Sequence, residues 1–385
     1  MSDTAPNDFA NKTGIIWRSA QWLGVAGLCA LFLMAFLRLA TAPLPSFEGK
    51  RVNVWFEESL SLDSASYPNS PSQKAFSALE GDAVRYLTGW VNGQPTRFDL
   101  GYAKFVSSLP AWAQTRSPKP RDNTFYRNRS DKALILLANI GMAQRFKSEA
   151  GEAISKPSIA LAVPAMRAVL QRTNDTGQRW AAQAVWFTGS AAAAAIPELI
   201  TLARDSNNHG AIQGLGMMGE LASNAVPVLI GIALDDRNAN RELAITALGE
   251  IGAAARDAVP ALATLLGNTN DALCVGAARA IAETGTTPEE AVPTLLAMKQ
   301  GTNDRLTLWA TLALWNRDRQ DASLRADLVA FLQTDKRVGL LASLGGLGTN
   351  AASLIPEIKP LVNDPDPSAR FYAKRALRKI QLGKP

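Results

Sequence analysis

A block of hydrophobic residues with a proline near its start recurs along the chain. The block DAVPALATLL at 257–266 returns as AIPELITLA at 195–203, NAVPVLIGIAL at 224–234 and EAVPTLLAM at 290–298. The recurring prolines are Pro164, Pro197, Pro227, Pro260, Pro293 and Pro356, with gaps of 33, 30, 33, 33 and 63 residues. The last gap is two periods. A period of about 32 residues is typical of stacked supersecondary units.

Each unit is predicted to contain two helices. The proline lies near the start of the first helix, where its missing N–H costs nothing. In the second helix, apolar side chains such as Leu273, Ala277 and Ile281 share one helical face. A short polar residue, eleven positions after most prolines, predicts the helix N-cap. These residues are Asp175, Asn208, Asn238, Asp271, Asp304, Asp335 and Asp366.

Glycines are predicted to end the second helices, because glycine adopts positive φ without a Cβ penalty. They are Gly189, Gly219, Gly252, Gly285 and Gly348. Counting back eleven residues from Asp335 gives Leu324, which replaces the missing proline. The pattern therefore predicts seven units over residues 158–380.

The A-V/I-P-x-L block, the polar cap and the glycine-ended second helix resemble HEAT repeats. They are most similar to the short HEAT-like variety of phycobilisome lyases and of many bacterial proteins. The resemblance implies an all-α fold, an α-solenoid of two-helix repeats over residues 158–380. It implies little about function, because this repeat serves enzymes, scaffolds and adaptors alike.

Weaker copies of the repeat precede residue 158. ALEG ends at Gly81, DAVRYL carries Arg85 in the proline position, and DKALILLANIG ends at Gly141. Residues 72–157 are therefore predicted to be degenerate helical repeats with a basic insertion. Residues 43–71 form a Pro/Ser-rich linker and capping segment. Within it, EGKRVNVWFEESL predicts an amphipathic helix with Val54, Trp55, Phe56 and Leu60 on its apolar side.

An uncharged segment of 19 residues, 19–37, follows a polar N-terminus, 1–13, that we expect to be disordered. Its length approaches what a helix needs to cross a bilayer, and Trp17 and Trp22 suit the interface. Residues 15–39 are therefore predicted to form one N-terminal transmembrane helix. A buried core helix is the alternative. Pro43 follows an Ala-Thr-Ala sequence and disfavours cleavage as a signal peptide. We expect a single-pass membrane protein whose soluble domain is extracytoplasmic (periplasmic).

Charge is mildly positive, with 40 Lys and Arg against 34 Asp and Glu. Nine of these cations lie within 104–147, against two acids. We expect a loop there that interleaves Phe125 and Tyr126 with cations. Such a loop is a candidate contact for phosphate, an acidic partner or lipid headgroups. A solvated insertion between degenerate repeats is the alternative. The candidate residues are Arg116, Lys119, Arg121, Arg127, Arg129 and Lys132.

The chain offers no convincing catalytic set. His209 is its single histidine, and its two cysteines, Cys29 and Cys274, lie far apart. Gly214, Gly216 and Gly219 imitate a dinucleotide-binding motif but lie in a predicted repeat helix. Glu250 and Glu283 share a repeat position, but the corresponding residues elsewhere are not acidic. We predict no catalytic residue, no metal and no cofactor.

These patterns predict a membrane-anchored scaffold or adaptor that binds a protein or peptide partner through the concave solenoid face. It would not be an enzyme, and no small-molecule substrate is evident. A bilin-lyase-like enzyme and an anion- or nucleic-acid-binding HEAT-like protein are the alternatives. Nucleic acid is disfavoured, because residues 153–385 carry 23 Lys and Arg against 21 Asp and Glu.

Overall fold

The computed structural model describes residues 44–62, 70–91, 97–109, 114–115, 118–149, 158–172, 177–205 and 208–383. The predicted disordered N-terminus and transmembrane segment lie outside these residues. Among the described residues, one stretch, Gly177–Ala203, has the length and hydropathy of a membrane span. It is broken at Gly189, whose φ of 65° and ψ of −135° are not helical. The stretch therefore consists of repeat helices rather than one span.

The described chain begins with a hairpin and a short helix. Strands β1 (Ser46–Phe47) and β2 (Lys50–Arg51) pair antiparallel across Glu48 and Gly49, which both have positive φ. Helix α1 (Val52–Leu60) follows at once. The predicted amphipathic helix is therefore present but shorter. Its buried residues include Trp55 and Phe56, whereas Val54 is 40% exposed, so the inclusion of Val54 in the apolar face was wrong.

In the region predicted to hold degenerate repeats, the described residues include the helices α2 (Pro71–Val91), α3 (Arg97–Ser108) and α4 (Asn123–Glu149). Two predicted helix ends are wrong, because α2 runs through Gly81 and α4 runs through Gly141. Gly141 is required for packing. A Cβ there would lie 2.5 Å from Phe187 Cβ and 2.7 Å from Ile159 Cδ1.

From residue 158 onwards, the part of the chain that the structure describes contains seven helix pairs, most of them introduced by a 3-10 segment. The first helices are α5 (Val163–Leu170), α7 (Ile196–Ala203), α9 (Val226–Leu234), α11 (Val259–Leu265), α13 (Val292–Lys299), α15 (Ala322–Phe331) and α17 (Ile355–Ile358). The second helices are α6 (Gly177–Val185), α8 (His209–Met217), α10 (Arg241–Ile251), α12 (Asp271–Thr284), α14 (Asp304–Arg317), α16 (Arg337–Gly346) and α18 (Pro367–Leu382). The 3-10 segments are Ser158–Ala162, Trp186–Ala195, Gly219–Ala225, Gly252–Ala258, Glu289–Ala291, Gly348–Leu354 and Lys359–Asn363. The all-α repeat architecture is confirmed.

The local signals of the repeat are mostly found where the pattern predicts them. Each of the six prolines lies in the first turn of its helix. The five predicted glycines all have positive φ. Gly285 is left-handed with ψ 11°, whereas Gly252 has ψ −135°, a region that is open almost only to glycine.

The predicted N-caps are displaced by one residue in two units. Asn270 and Asn303 accept hydrogen bonds from the first-turn amides, while Asp271 and Asp304 are the first helical residues. An acidic side chain in the first turn complements the helix dipole instead. Asp366 is a true cap and accepts from Ser368 N. Asp335 caps nothing, because Lys336 occupies the N-cap of α16, and Asp175 lies outside the described residues.

The core is continuous from α1 to α18. Second helices α6, α8, α10, α12 and α14 stack in sequence, and first helices cover them on the other side. The stack then turns, because α16 packs against α12 and α18. Ser343 Oγ on α16 donates to Glu283 Oε1 on α12 at 2.7 Å. This turn closes the superhelix around an inner surface.

Candidate functional site

A cavity of about 700 Å³ lies on the inner surface of the superhelix. Its walls are the last turns of the second helices and the 3-10 segments that follow them. Met142 on α4 and Tyr372 on α18, which are 230 residues apart in the sequence, line the same cavity. The curvature of the stack therefore creates a site that no single unit contains.

Glycines shape one wall of the cavity. Gly249 lies where a Cβ would approach Glu283 Oε2 to 2.5 Å, and at Gly216 a Cβ would lie 2.8 Å from Ala247 Cα. Each glycine brings its helix close to the next and leaves room for the glutamate of the following unit, Glu250 or Glu283. This close packing explains the imitation of a dinucleotide motif, since Gly214 and Gly216 lie inside α8.

A polar bridge divides the inner surface. Arg279 Nε donates to Glu283 Oε1 at 2.9 Å, and the same oxygen accepts from Ser343. The Arg279 guanidinium also lies 5.5 Å from the ring centre of Trp309. On the far side of the bridge is a second cavity of about 770 Å³ between α10, α12, α14 and α16. Arg279 and Glu283 line both cavities.

Two aromatic pairs line the first cavity. Trp186 and Phe187 are stacked with ring centres 3.7 Å apart. Phe371 and Tyr372 on α18 meet edge to face with ring centres 5.2 Å apart. All four rings are only partly buried, so each pair presents an aromatic surface to the cavity. Trp309 and Trp315, by contrast, are buried in the core.

Charge in the cavity is balanced. Its acidic lining residues are Glu220, Glu250 and Glu283, and its basic ones are Arg279, Arg375 and Lys379. A polyanion would find no net positive field here. Among the described residues, no group of three or more His, Cys, Asp or Glu side chains is placed to hold a metal ion.

The other residues that could have carried chemistry, His209 and Cys274, lie outside the cavity lining. His209 is exposed at the start of α8. The Cys274 thiol is buried and donates to Asn268 O at 2.8 Å. Burial raises the pKa of Cys274 above its ordinary value, with the backbone contact at Asn268 acting in the opposite direction. A thiol held in this way is a poor nucleophile.

The predicted basic candidates lie away from the cavity, at the amino-terminal end. The predicted loop is wrong from Asn123 onwards, since α4 begins there. Arg129 Nη2 bonds Glu57 Oε2 at 2.6 Å and its guanidinium lies 3.6 Å from the Phe125 ring centre. Lys132 Nζ donates to Leu62 O at 3.2 Å. These two cations therefore attach α4 to α1 and the segment after it.

The other candidates face outward or lie beyond the described residues. Lys119 and Arg127 are exposed. Arg121 is also exposed, lies 3.7 Å from Asp99 and stacks 4.8 Å from the Phe125 ring centre. Arg116 lies outside the described residues.

Sequence reasoning recognised Glu250 and Glu283 as equivalent but missed the cavity they line. Ser343, Tyr372 and Lys379 join them only because the stack turns at α16. Arg375 and Lys379 of α18 also line the cavity. The sequence does contain one signal of close helix packing at this wall. It is the small residue directly before the glutamate position, as in Gly249-Glu250.

Comparison with known proteins supports the repeat. The family model described as HEAT repeats matches residues 237–315. No curated protein matches the chain. Residues 237–315 are therefore similar to HEAT repeats, and the observed helix pairs continue on both sides of that match.

Solved structures similar to the chain include two engineered proteins of the Northeast Structural Genomics Consortium. The first is 19% identical over 86% of this chain and 94% of its own, with a TM-score of 0.41. The second is 19% identical over 67% and 92%, with a TM-score of 0.27. Kap121p is 14% identical over 86% of this chain and 45% of its own, with a TM-score of 0.32.

Proposed function

We propose that this HEAT-like repeat protein is a scaffold that binds an extended segment of a partner protein in the inner cavity. The observation that carries the proposal is the cavity itself, about 700 Å³ and lined by two aromatic pairs. Aromatic side chains in a concave site are frequent anchors of protein recognition. The balanced acids and bases of the cavity suit a polypeptide of mixed charge better than a polyanion.

Selection of binding peptides with the full chain tests this proposal. Peptides recovered from a random library would be titrated against the wild type and against Trp186→Ala and Tyr372→Ala. An anchor in the cavity contributes about 2 kcal/mol, so each variant should weaken binding roughly thirtyfold. Leu296→Ala is the matched control, because Leu296 is 45% exposed on first helix α13.

The variants distinguish a folding defect from a binding defect. Trp186 packs partly against the core, so its variant would be accompanied by a melting curve. Glu250→Gln removes one charge from the cavity without removing an aromatic ring. Peptides that bind all variants as tightly as the wild type would place the binding site elsewhere.

Attachment to a membrane through residues 15–39, with the repeats on the extracytoplasmic side, is the second part of the proposal. Its support is the uncharged segment 19–37 in the sequence. A phosphatase fused after residue 50 should be active outside the cytoplasm. If a cytoplasmic reporter at the same position were active and the phosphatase inactive, the repeats would lie on the cytoplasmic side, and the proposed orientation would be wrong.

A further inference from the structure

Helix α3 presents an unusual outer face. Leu100 and Phe105 are each 57% exposed, and Lys104 lies exposed between them. The opposite side of the helix holds the buried Val106 and the half-buried Tyr102. The helix is therefore attached by one side and leaves two large apolar side chains and a cation in solvent.

Basic side chains lie close to this helix. Tyr102 Oη donates to Pro118 O at 2.9 Å, which places Lys119 beside the helix. Arg121 lies 3.7 Å from Asp99 of α3, and Arg127 is exposed one turn into α4. Exposed apolar side chains flanked by cations are what a membrane-surface segment requires. The apolar groups enter the interface and the cations meet anionic headgroups.

The path of the chain places this face near the proposed anchor. From residue 38 to Leu44 the chain can span about 20 Å at most, at about 3.5 Å per residue. Trp55 Nε1 then donates to Phe47 O at 3.2 Å, and Glu57 on the same helix bonds Arg129 at 2.6 Å. Arg129 and Arg121 both stack on Phe125. A continuous set of contacts thus links the first described residues to the basic face.

We propose that Leu100 and Phe105, with Lys104, Lys119, Arg121 and Arg127, form a docking surface for an anionic lipid bilayer. This surface would hold the amino-terminal end of the superhelix against the membrane and leave the inner cavity open. The inference rests on the proposed anchor but not on peptide binding. A soluble acidic protein is the competing occupant and is tested below.

A fluorescent label at position 105 tests the docking directly. The full chain would carry Cys29→Ser and Phe105→Cys, labelled with the environment-sensitive dye NBD, in vesicles of phosphatidylcholine with or without phosphatidylglycerol. We expect a blue shift of the emission only with phosphatidylglycerol. The docking equilibrium should fall about fivefold for each of Lys104→Gln, Lys119→Gln and Arg127→Gln. The same label at Leu296→Cys is the control and should not shift.

Each other outcome overturns the docking surface. A label at 105 that stays in water in both vesicles refutes it. An equal shift in neutral vesicles, unchanged by the glutamine substitutions, shows apolar contact without headgroup recognition. A shift produced equally by soluble polyglutamate shows an acidic polypeptide site. Flotation separates failure of the anchor, because a chain without a working anchor would float only with anionic vesicles.

Discussion

Helices α2 and α4 run through the glycines that were predicted to end them, whereas α10 and α12 end at theirs, Gly252 and Gly285. Gly141 lies buried inside α4, where its missing Cβ lets Phe187 and Ile159 approach. Gly252 ends α10 with φ 70° and ψ −135°, and a Cβ there would meet only Glu283 O at 3.7 Å. The same residue type thus joins the amino-terminal region to the repeats in one place and sets the turn between helices in the other. Steric and conformational substitutions should separate the two roles.

The largest effect is expected for Gly141→Val. The added side chain would occupy space already filled by Phe187 and Ile159, so overpacking should lower the free energy of unfolding by about 3 kcal/mol. Chemical denaturation followed by circular dichroism measures it. Gly89→Ala is the control inside α2, where a Cβ meets nothing within 4 Å. That substitution should stabilise the protein by about 0.5 to 1 kcal/mol.

Gly252→Ala should cost about 2 kcal/mol, because an alanine would have to adopt a conformation that only glycine takes without strain. The control is Gly267→Ala, which has open space around it and no positive φ and should change stability by less than about 0.5 kcal/mol. If Gly252→Ala changed the melting temperature as little as Gly267→Ala does, Gly252 would not set the end of α10.

Ion pairs also differ between the two regions. In the repeats, Arg167 Nη2 and Gln171 Nε2 bond Glu198 Oε1 at 2.6 and 2.8 Å, and the Glu198 side chain is 9% exposed. Glu198→Ala should cost about 1.5 kcal/mol. In α2, Asp82 and Arg85 are 60% and 78% exposed at 3.5 Å. Asp82→Asn should cost less than about 0.5 kcal/mol. If denaturation showed the same loss of stability for Glu198→Ala and Asp82→Asn, the two ion pairs would not differ in the way that their burial predicts.

The Glu198 pair also predicts a pH dependence. Burial alone would raise the pKa of Glu198, but the hydrogen bonds from Arg167 and Gln171 outweigh it and hold the pKa below its ordinary value of 4.5. Its contribution to stability is therefore present above pH 4.5 and is lost as the pH falls through the lower folded-state pKa. Glu198→Gln should flatten the stability curve in that acidic range.

The smallest effects test the displaced caps. Asn270→Ala removes a side chain that accepts from Ala272 N at 2.9 Å and should cost about 1 kcal/mol. Asp271→Ala loses only an interaction with the helix dipole and should cost a few tenths of that, roughly 0.3 kcal/mol. A larger loss at Asp271 would restore the N-cap to the position that the repeat spacing predicted.

The repeat was predictable because its signals act within a few residues. A proline in the first turn, a glycine with positive φ and an apolar face each depend on local backbone chemistry. The Asn-Asp pair at 270–271 shows the limit, since both residues favour helix starts and spacing alone does not separate the cap from the first turn. The prediction that a helix ends at Gly141 was wrong for a similar reason. The sequence around a glycine is the same whether it ends a helix or lets a side chain such as Phe187 pack closely against the helix.

The candidate site depended on long-range geometry. Glu283 and Ser343 are 60 residues apart and meet because α16 packs on α12. The repeat pattern describes each unit but not the turn of the stack between units. The number of cations in 104–147 also does not show which of them have partners within the chain, as Arg129 and Lys132 do in α1 and the segment that follows it.

Site-specific crosslinking in the intact protein tests the central claim most directly. The photoreactive residue p-benzoylphenylalanine would replace Phe187, Tyr372 or Leu296 in turn, in cells that make the full chain. The account predicts one crosslinked polypeptide shared by positions 187 and 372, and none at Leu296 on the first-helix side. Crosslinks at Leu296 as strong as those in the cavity, or no crosslink at either cavity position, would contradict it.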